Sequence, residues 1–331
     1  MKRLKRLSKL ISVSASFLLI LYLHTSCASL PVRDSLTGVS IVGQASDVFV
    51  FVPIKHNRLL LSRILPKAKY VQKALDRTEY IYTSVKVKHQ GLDELEDGGG
   101  EPGDISEIAD DERLSNTEDI FKLLSYDVCA LGRYPKSIAA LVFKKRDGWQ
   151  KQKAASSGYK YYKRLDAVDA RGVPSFSFCS IPESNLALFS YNERNESKME
   201  KLLQSVSSPR KVSFGDEFAQ AIKRAKTSHE ICIYVANPHF FLSKLLALEL
   251  DLPIENLRIY LKRNAEKAKE FYNYKLILQM RNETAGFATR LLLSKLLKTQ
   301  ARIEGENIIV EKSKLGLDRL VDIINKVLNR Q

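Results

Sequence analysis

Residues 80–88 alternate in character. Ile81, Thr83, Val85 and Val87 fall on one side, and Tyr80, Tyr82, Ser84, Lys86 and Lys88 on the other. A period of two predicts a strand with one wet face. Leu276, Leu278 and Met280 predict a second such strand. Elsewhere the period changes. Met199, Leu202, Leu203 and Val206 recur at helical spacing, a stripe that faces a core. Leu320, Val321, Ile324, Val327 and Leu328 repeat that stripe near the C-terminus. Leu60, Leu61, Ile64 and Leu65 make a shorter one, which Pro66 suits ending. Pro135 and Pro238 suit first-turn positions, where no backbone donor is lost. Asp216 is a candidate N-cap for a helix over residues 217–226.

These elements recur in order. DVFVFVPIKHNRLL at 47–60 aligns without a gap on EICIYVANPHFFLS at 230–243, an offset of 183 residues. Val52/Val235, His56/His239 and Leu59/Leu242 are identical. A second block, the strand DVCALGR and the helix after it, aligns with KLILQMR and its helix, so that Arg133 matches Arg281. A third block closes each half with a hairpin and a helix; the hairpins turn near Pro182–Asn185 and Glu304–Asn307. Each half thus reads strand, helix, strand, strand, helix, strand, strand, helix. A strand-helix-strand unit given twice, with helices on one side, is the ferredoxin-like arrangement. The expected fold class is α+β: two tandem repeats of ferredoxin-like type, over residues 45–208 and 209–331, with mixed or antiparallel sheets backed by helices. The pattern does not choose between one shared sheet and two packed ones.

The N-terminus is of another kind. Residues 1–9 carry five bases and no acid, and residues 10–23 carry no charge. A basic segment followed by an apolar run shorter than the ~20 residues of a membrane span is a secretory signal. Two cleavage readings follow. Leu23-His24-Thr25-Ser26-Cys27 is a relaxed lipobox, which makes Cys27 the acylated first residue of the mature chain. Ser26-x-Ala28 is instead a site for ordinary signal peptidase, and a cut after Ala28 would remove Cys27. The position of Cys27, directly after the apolar run, favours lipidation. Residues 1–26 are then the signal peptide and residues 27–44 a tether.

Charge adds a partner class. Lys and Arg total 53 against 38 Asp and Glu over 331 residues. Residues 91–119 hold twelve acids against Arg113 alone, and residues 133–171 hold eleven bases against three acids. A positive surface attracts anionic lipid or polymer. Export argues against a specific nucleic-acid partner. The acidic stretch, with three consecutive glycines and Pro102, reads as a disordered insertion, since it buries too little apolar surface to order itself. It lacks the spacing of a calcium-binding loop.

Candidate chemistry is sparse. No GxSxG, GxxxxGK[ST], HExxH or GxGxxG occurs, so no catalytic site, cofactor or metal is expected. Cys129, Cys179 and Cys232 sit in apolar, strand-like runs, and Cys129 with Cys179 is the candidate disulfide. His56 and His239 fall at matching strand-to-helix turns, and Arg133 and Arg281 at matching strand ends. Arginines so placed could grip a carboxylate or phosphate. These four are the candidate ligand contacts. The run YKYYKR at 159–164 reads as a solvated edge strand with Trp149 packed nearby.

The relaxed lipobox and the duplicated α+β body resemble spirochaete-type bacterial lipoproteins. The resemblance implies membrane anchoring by lipid on Cys27 and no particular activity. The leading functional expectation is a lipid-anchored envelope protein, periplasm-facing or at the surface, that binds or scaffolds without catalysis. An envelope hydrolase with its site between the repeats is the first alternative. A binder of anionic lipid or another polyanion is the second.

Overall fold

The structure, a computed structural model, describes residues 35–42, 46–64, 72, 74–87, 124–164, 176–191, 196–208, 216–236, 238, 253–266, 269–297 and 299–327. The acidic stretch 91–119, His239 and Cys27 lie outside them.

The N-terminal half runs α1 (Ser35–Val42), β1 (Val48–Pro53), α2 (Ile54–Ile64), β2 (Thr78–Val87), β3 (Leu124–Gly132) and α3 (Lys136–Val142). It continues with β4 (Trp149–Lys153), β5 (Lys160–Arg164), β6 (Phe176–Glu183), β7 (Leu186–Tyr191) and α4 (Glu196–Ser207). The second half runs α5 (Asp216–Ser228), β8 (Ile231–Val235), β9 (Ile254–Glu266), β10 (Lys269–Met280), α6 (Glu283–Leu297), β11 (Ala301–Glu304), β12 (Asn307–Gly316) and α7 (Leu317–Val327).

All twelve strands form one sheet, in the order β11-β12-β10-β9-β8-β1-β2-β3-β7-β6-β5-β4. The halves therefore share a continuous sheet and meet where β1 pairs with β8. Every neighbouring pair is antiparallel. Outward from the seam, the order β1-β2-β3-β7-β6 is mirrored by β8-β9-β10-β12-β11. The ferredoxin-like interleaving expected from the element order is not seen. Strands pair with their sequence neighbours, except at β3–β7, at β10–β12 and at the β1–β8 seam.

Helices cover both faces, not one. Phe49 and Phe51 of β1 point to the first face, where α1, α4 and α5 bring Val39, Met199, Leu203 and Ile222 onto them. Val52 points to the second face and joins Leu60 and Leu61 of α2 and Leu317 and Leu320 of α7. Farther along that face, Leu293 of α6 packs on Leu257, Leu278 and Ile308. The cause lies in β1 itself. VFVFVP is apolar at every position, and a strand apolar on both sides needs cover on both.

Two local expectations change here. Residues 35–42, expected within the tether, form α1. Its Val39, Ile41 and Val42 are buried, and Gly38 lies against the ring of Tyr82. The run 159–164 is not an edge. β5 lies between β4 and β6, Tyr161 and Tyr162 are buried, and β4 is the edge strand.

No disulfide joins Cys129 and Cys179. Cys129 is opposite Leu188, and Leu188 is opposite Ser180, so Cys179 points to the other face two strands away. Two strand spacings, ~10 Å, exceed the ~7 Å that a disulfide spans between Cα atoms. Burial raises the Cys179 thiol well above its usual range and pushes Cys232 up to about 12, so both stay protonated.

Candidate functional site

The matched arginines do not converge. Arg133 follows β3 and Arg281 follows β10, with β2, β1, β8 and β9 between these strands. Five spacings put them ~24 Å apart across the sheet. Alternating strand direction also places the C-terminal ends of β3 and β10 at opposite ends of the sheet. Arg133 is exposed beside Glu79 at 4.0 Å, and its backbone N–H donates to the Arg77 carbonyl at 2.8 Å. Arg281 is exposed, and its N–H donates to the Pro253 carbonyl at 2.9 Å. Each backbone ties down a strand end, while each side chain faces solvent.

His56 has a partner that periodicity did not reveal. It lies in the first turn of α2, just beyond the C-terminal end of β1. β8 runs antiparallel to β1, so the turn before β8 arrives at the same end of the seam. That turn carries His229, the one non-glycine residue with positive φ among the described residues, at 58°. The two imidazoles stack with ring centroids 3.9 Å apart and planes 17° from parallel.

Around this pair the seam gathers charge. Arg263 of β9 donates from Nη1 to the His56 carbonyl at 3.3 Å and from Nη2 to Glu270 Oε1 of β10. Tyr272 lies opposite Arg263 in the ladder and is fully buried. Burial pushes its phenol up to about 12, so it stays neutral. Tyr272 OH, Arg263 Nε and Glu270 Oε2 are buried without a hydrogen-bond partner. On the other face, Glu230 precedes β8 and is buried beside Arg224 of α5 at 3.9 Å. The Arg224 guanidinium lies over the Tyr260 ring at 5.2 Å.

The electrostatics decide what His56 can do. Partial burial lowers its pKa most, followed by His229, Lys55 and Arg263. Each of these influences is apolar or cationic. A general base needs a group that stabilises its protonated form, usually a carboxylate on the far nitrogen. His56 has the opposite surroundings. Among the described residues, no three His, Cys, Asp or Glu side chains gather into a metal-ligating group.

A pH dependence follows. The folded pKa of His56 is below its unfolded value of about 6.5. Between those values the unfolded chain binds more protons, so stability is complete above the window and falls as pH drops through it. The melting temperature is expected to fall between about pH 7.5 and about pH 5.5. In His56→Gln the fall should be smaller. Equal slopes for the two proteins would show that His56 does not titrate with folding.

One antiparallel sheet of twelve strands, with helices packed on both faces, defines a mixed α+β protein. Among the described residues, no helix is long and apolar enough to cross a bilayer. The family model described as outer membrane-associated lipoprotein TP0453 matches residues 34–321, and the chain belongs to that family. It is an exported, membrane-anchored protein of the outer membrane-associated class. The outer membrane protein TP0453 of Treponema pallidum (strain Nichols) is 22% identical over 297 residues, covering 88% of this chain and 86% of that one. Crystal form I of TP0453 superimposes with a TM-score of 0.58 over 91% of this chain and 98% of that one. Crystal form III gives 0.59 over 90% and 98%. At 22% identity these structures establish the shared fold.

Proposed function

We propose that the chain is anchored through an acylated Cys27 and serves the cell envelope as a non-catalytic binding or scaffold module. The observation that carries this reading is the family match from residue 34 onward, downstream of a basic, then apolar segment that directly precedes Cys27. The surroundings of His56 weigh against the hydrolase alternative, because a cationic rim destabilises the imidazolium that a base must become. The mirrored strand order on either side of the β1–β8 seam supports duplication of an ancestral half, with repeats over residues 45–208 and 209–331. A rigid sheet with two free ends suits a scaffold, since it presents separate surfaces on one body.

The mass of the mature N-terminal peptide, from protein processed in a lipoprotein-competent host, tests the anchor. Acylated Cys27 is expected. An unmodified start at Ser29 would overturn it and leave a free exported protein.

A further inference from the structure

The β4–β5 hairpin, at one end of the sheet, treats its lysines in two ways. Lys163 of β5 points to the face that α4 covers, and there Glu196 neutralises it at 2.5 Å. Lys151, Lys153 and Lys160 point to the other face, are exposed, and have no carboxylate in ion-pair reach among the described residues. Lys153 and Lys160 are directly opposite each other in the ladder. A like-charged cross-strand pair costs stability rather than adding to it. The fold therefore holds three unneutralised ammonium groups on one flat surface.

The same face carries an aromatic platform. Trp149 and Arg164 are also a ladder pair, with the guanidinium over the indole at 5.9 Å. Phe143 braces the indole at 5.0 Å and the ring of Tyr162 at 5.1 Å. Arg164 Nε is buried with no hydrogen-bond partner. The 3-10 turn Lys145–Asp147 adds exposed Lys145 beside the platform. The nearby acids are engaged elsewhere. Asp147 pairs with Arg146 at 3.7 Å, Glu183 accepts from Tyr159 OH at 3.4 Å, and Glu200 accepts from the Ala155 N–H at 3.3 Å.

We propose that this face of the β4–β5 hairpin is a docking surface for the phosphate headgroups of an anionic lipid layer. Charge complementarity commits the occupant. Lysines are compact point charges that suit a field of phosphates, and each contributes about 1 kcal/mol near an anionic surface. A tryptophan beside them is the residue type that sits at headgroup level. β4 is the edge strand, so nothing in the sheet lies beyond it. The five residues of β4 span ~16 Å, enough to meet several headgroups at once. This rests on the envelope placement proposed above but not on acylation of Cys27, and the test removes the anchor so that the two can fail separately.

The assay is flotation of the unacylated mature chain, carrying Cys27→Ala, with two kinds of vesicle. One is phosphatidylcholine alone, and the other contains about a third phosphatidylglycerol. Binding to the anionic vesicles is expected at low salt, with loss as salt rises to about 0.5 M. The triple variant Lys151→Gln/Lys153→Gln/Lys160→Gln should bind roughly a hundredfold more weakly, from about fivefold per lysine. Its side chains have no partners to lose, so its melting curve should match that of the parent. A second triple variant, Lys201→Gln/Lys223→Gln/Lys262→Gln, makes the same charge change on exposed lysines elsewhere and should retain binding. Three results would overturn the proposal: equal binding to both vesicles, equal loss in the two triple variants, or no anionic binding unless residues 91–119 are deleted. The last would make the chain's own acidic stretch the occupant.

Discussion

Phe51→Ala is expected to lower the unfolding free energy by about 4 kcal/mol, the upper range for a large-to-small change in a core. The size follows from where the ring sits. Phe51 is fully buried in the strand that joins the halves. It is opposite Tyr82 of β2 on one side and Cys232 of β8 on the other. Its ring lies 5.1 Å from that of Tyr82 and stacks on Tyr80 at 5.8 Å. These neighbours are held by ladder hydrogen bonds, so they relax little into the space left behind, and the cavity cost adds to the lost burial. Urea denaturation reads the effect as a lower midpoint. Phe287→Ala is the comparison, because that ring on α6 is 57% exposed; about 0.5 kcal/mol is expected there. Similar losses in the two variants would mean that the seam is not the centre of the core.

Gly132→Ala is the second large effect, and it works by crowding rather than by cavity. Gly132 ends β3 opposite Thr78. A Cβ placed there would lie 2.1 Å from the Arg77 carbonyl oxygen and 2.8 Å from Thr78 Cα. Both are backbone atoms, so no side chain can swing aside. The Arg133 N–H donates to the Arg77 carbonyl at 2.8 Å and holds these two backbones together, while the Gly132 N–H donates to the Asn185 carbonyl of the β6–β7 turn at 3.0 Å and fixes β3 from its other side. Separating β3 from Arg77 breaks the first bond, and the second resists the shift. A loss of about 3 kcal/mol is expected, at the upper end for overpacking. Gly316→Ala is the control, since nothing lies within 4 Å of its added Cβ. A thermal melt should separate the two clearly, and a melt of Gly132→Ala equal to the parent's would refute the close approach.

What could be read from the chain depended on periodicity. Alternation over 80–88 and the stripe Met199, Leu202, Leu203, Val206 report the kind of element, and a strand and a helix formed there. The stripe also marks the buried face, whereas in β2 the side expected to be wet is the buried one, with Tyr82 and Ser84 turned inward. The strand order is mirrored around the seam, while the β4–β5 hairpin belongs to the first half alone. Strand pairing was not legible, because alternation says which face a residue takes but not which strand lies beside it. The ferredoxin-like reading failed at that step. Cys129 and Cys179 show the same limit: both sit in apolar runs, and only the register places them on opposite faces. His229 was invisible for another reason. It follows α5 in the dipeptide HE, with no motif, and reaches His56 only because β1 and β8 pair across the seam. The inner and outer lysines of YKYYKR are distinguished by period two, but the neutralising Glu196 comes from a different element.

The β1–β8 joint has a consequence for biogenesis. A chain that crosses a membrane unfolded and N-terminus first delivers β1, β2 and β3 to the far side well before β8. During that interval one edge of VFVFVP is unpaired, uncharged and rich in β-branched and aromatic residues. Such an edge is the sort of template on which other chains assemble. Folding of the first half is thus incomplete until the last third has been delivered. A pause in translocation between residues 208 and 231 would leave β1 waiting on the far side for its mate.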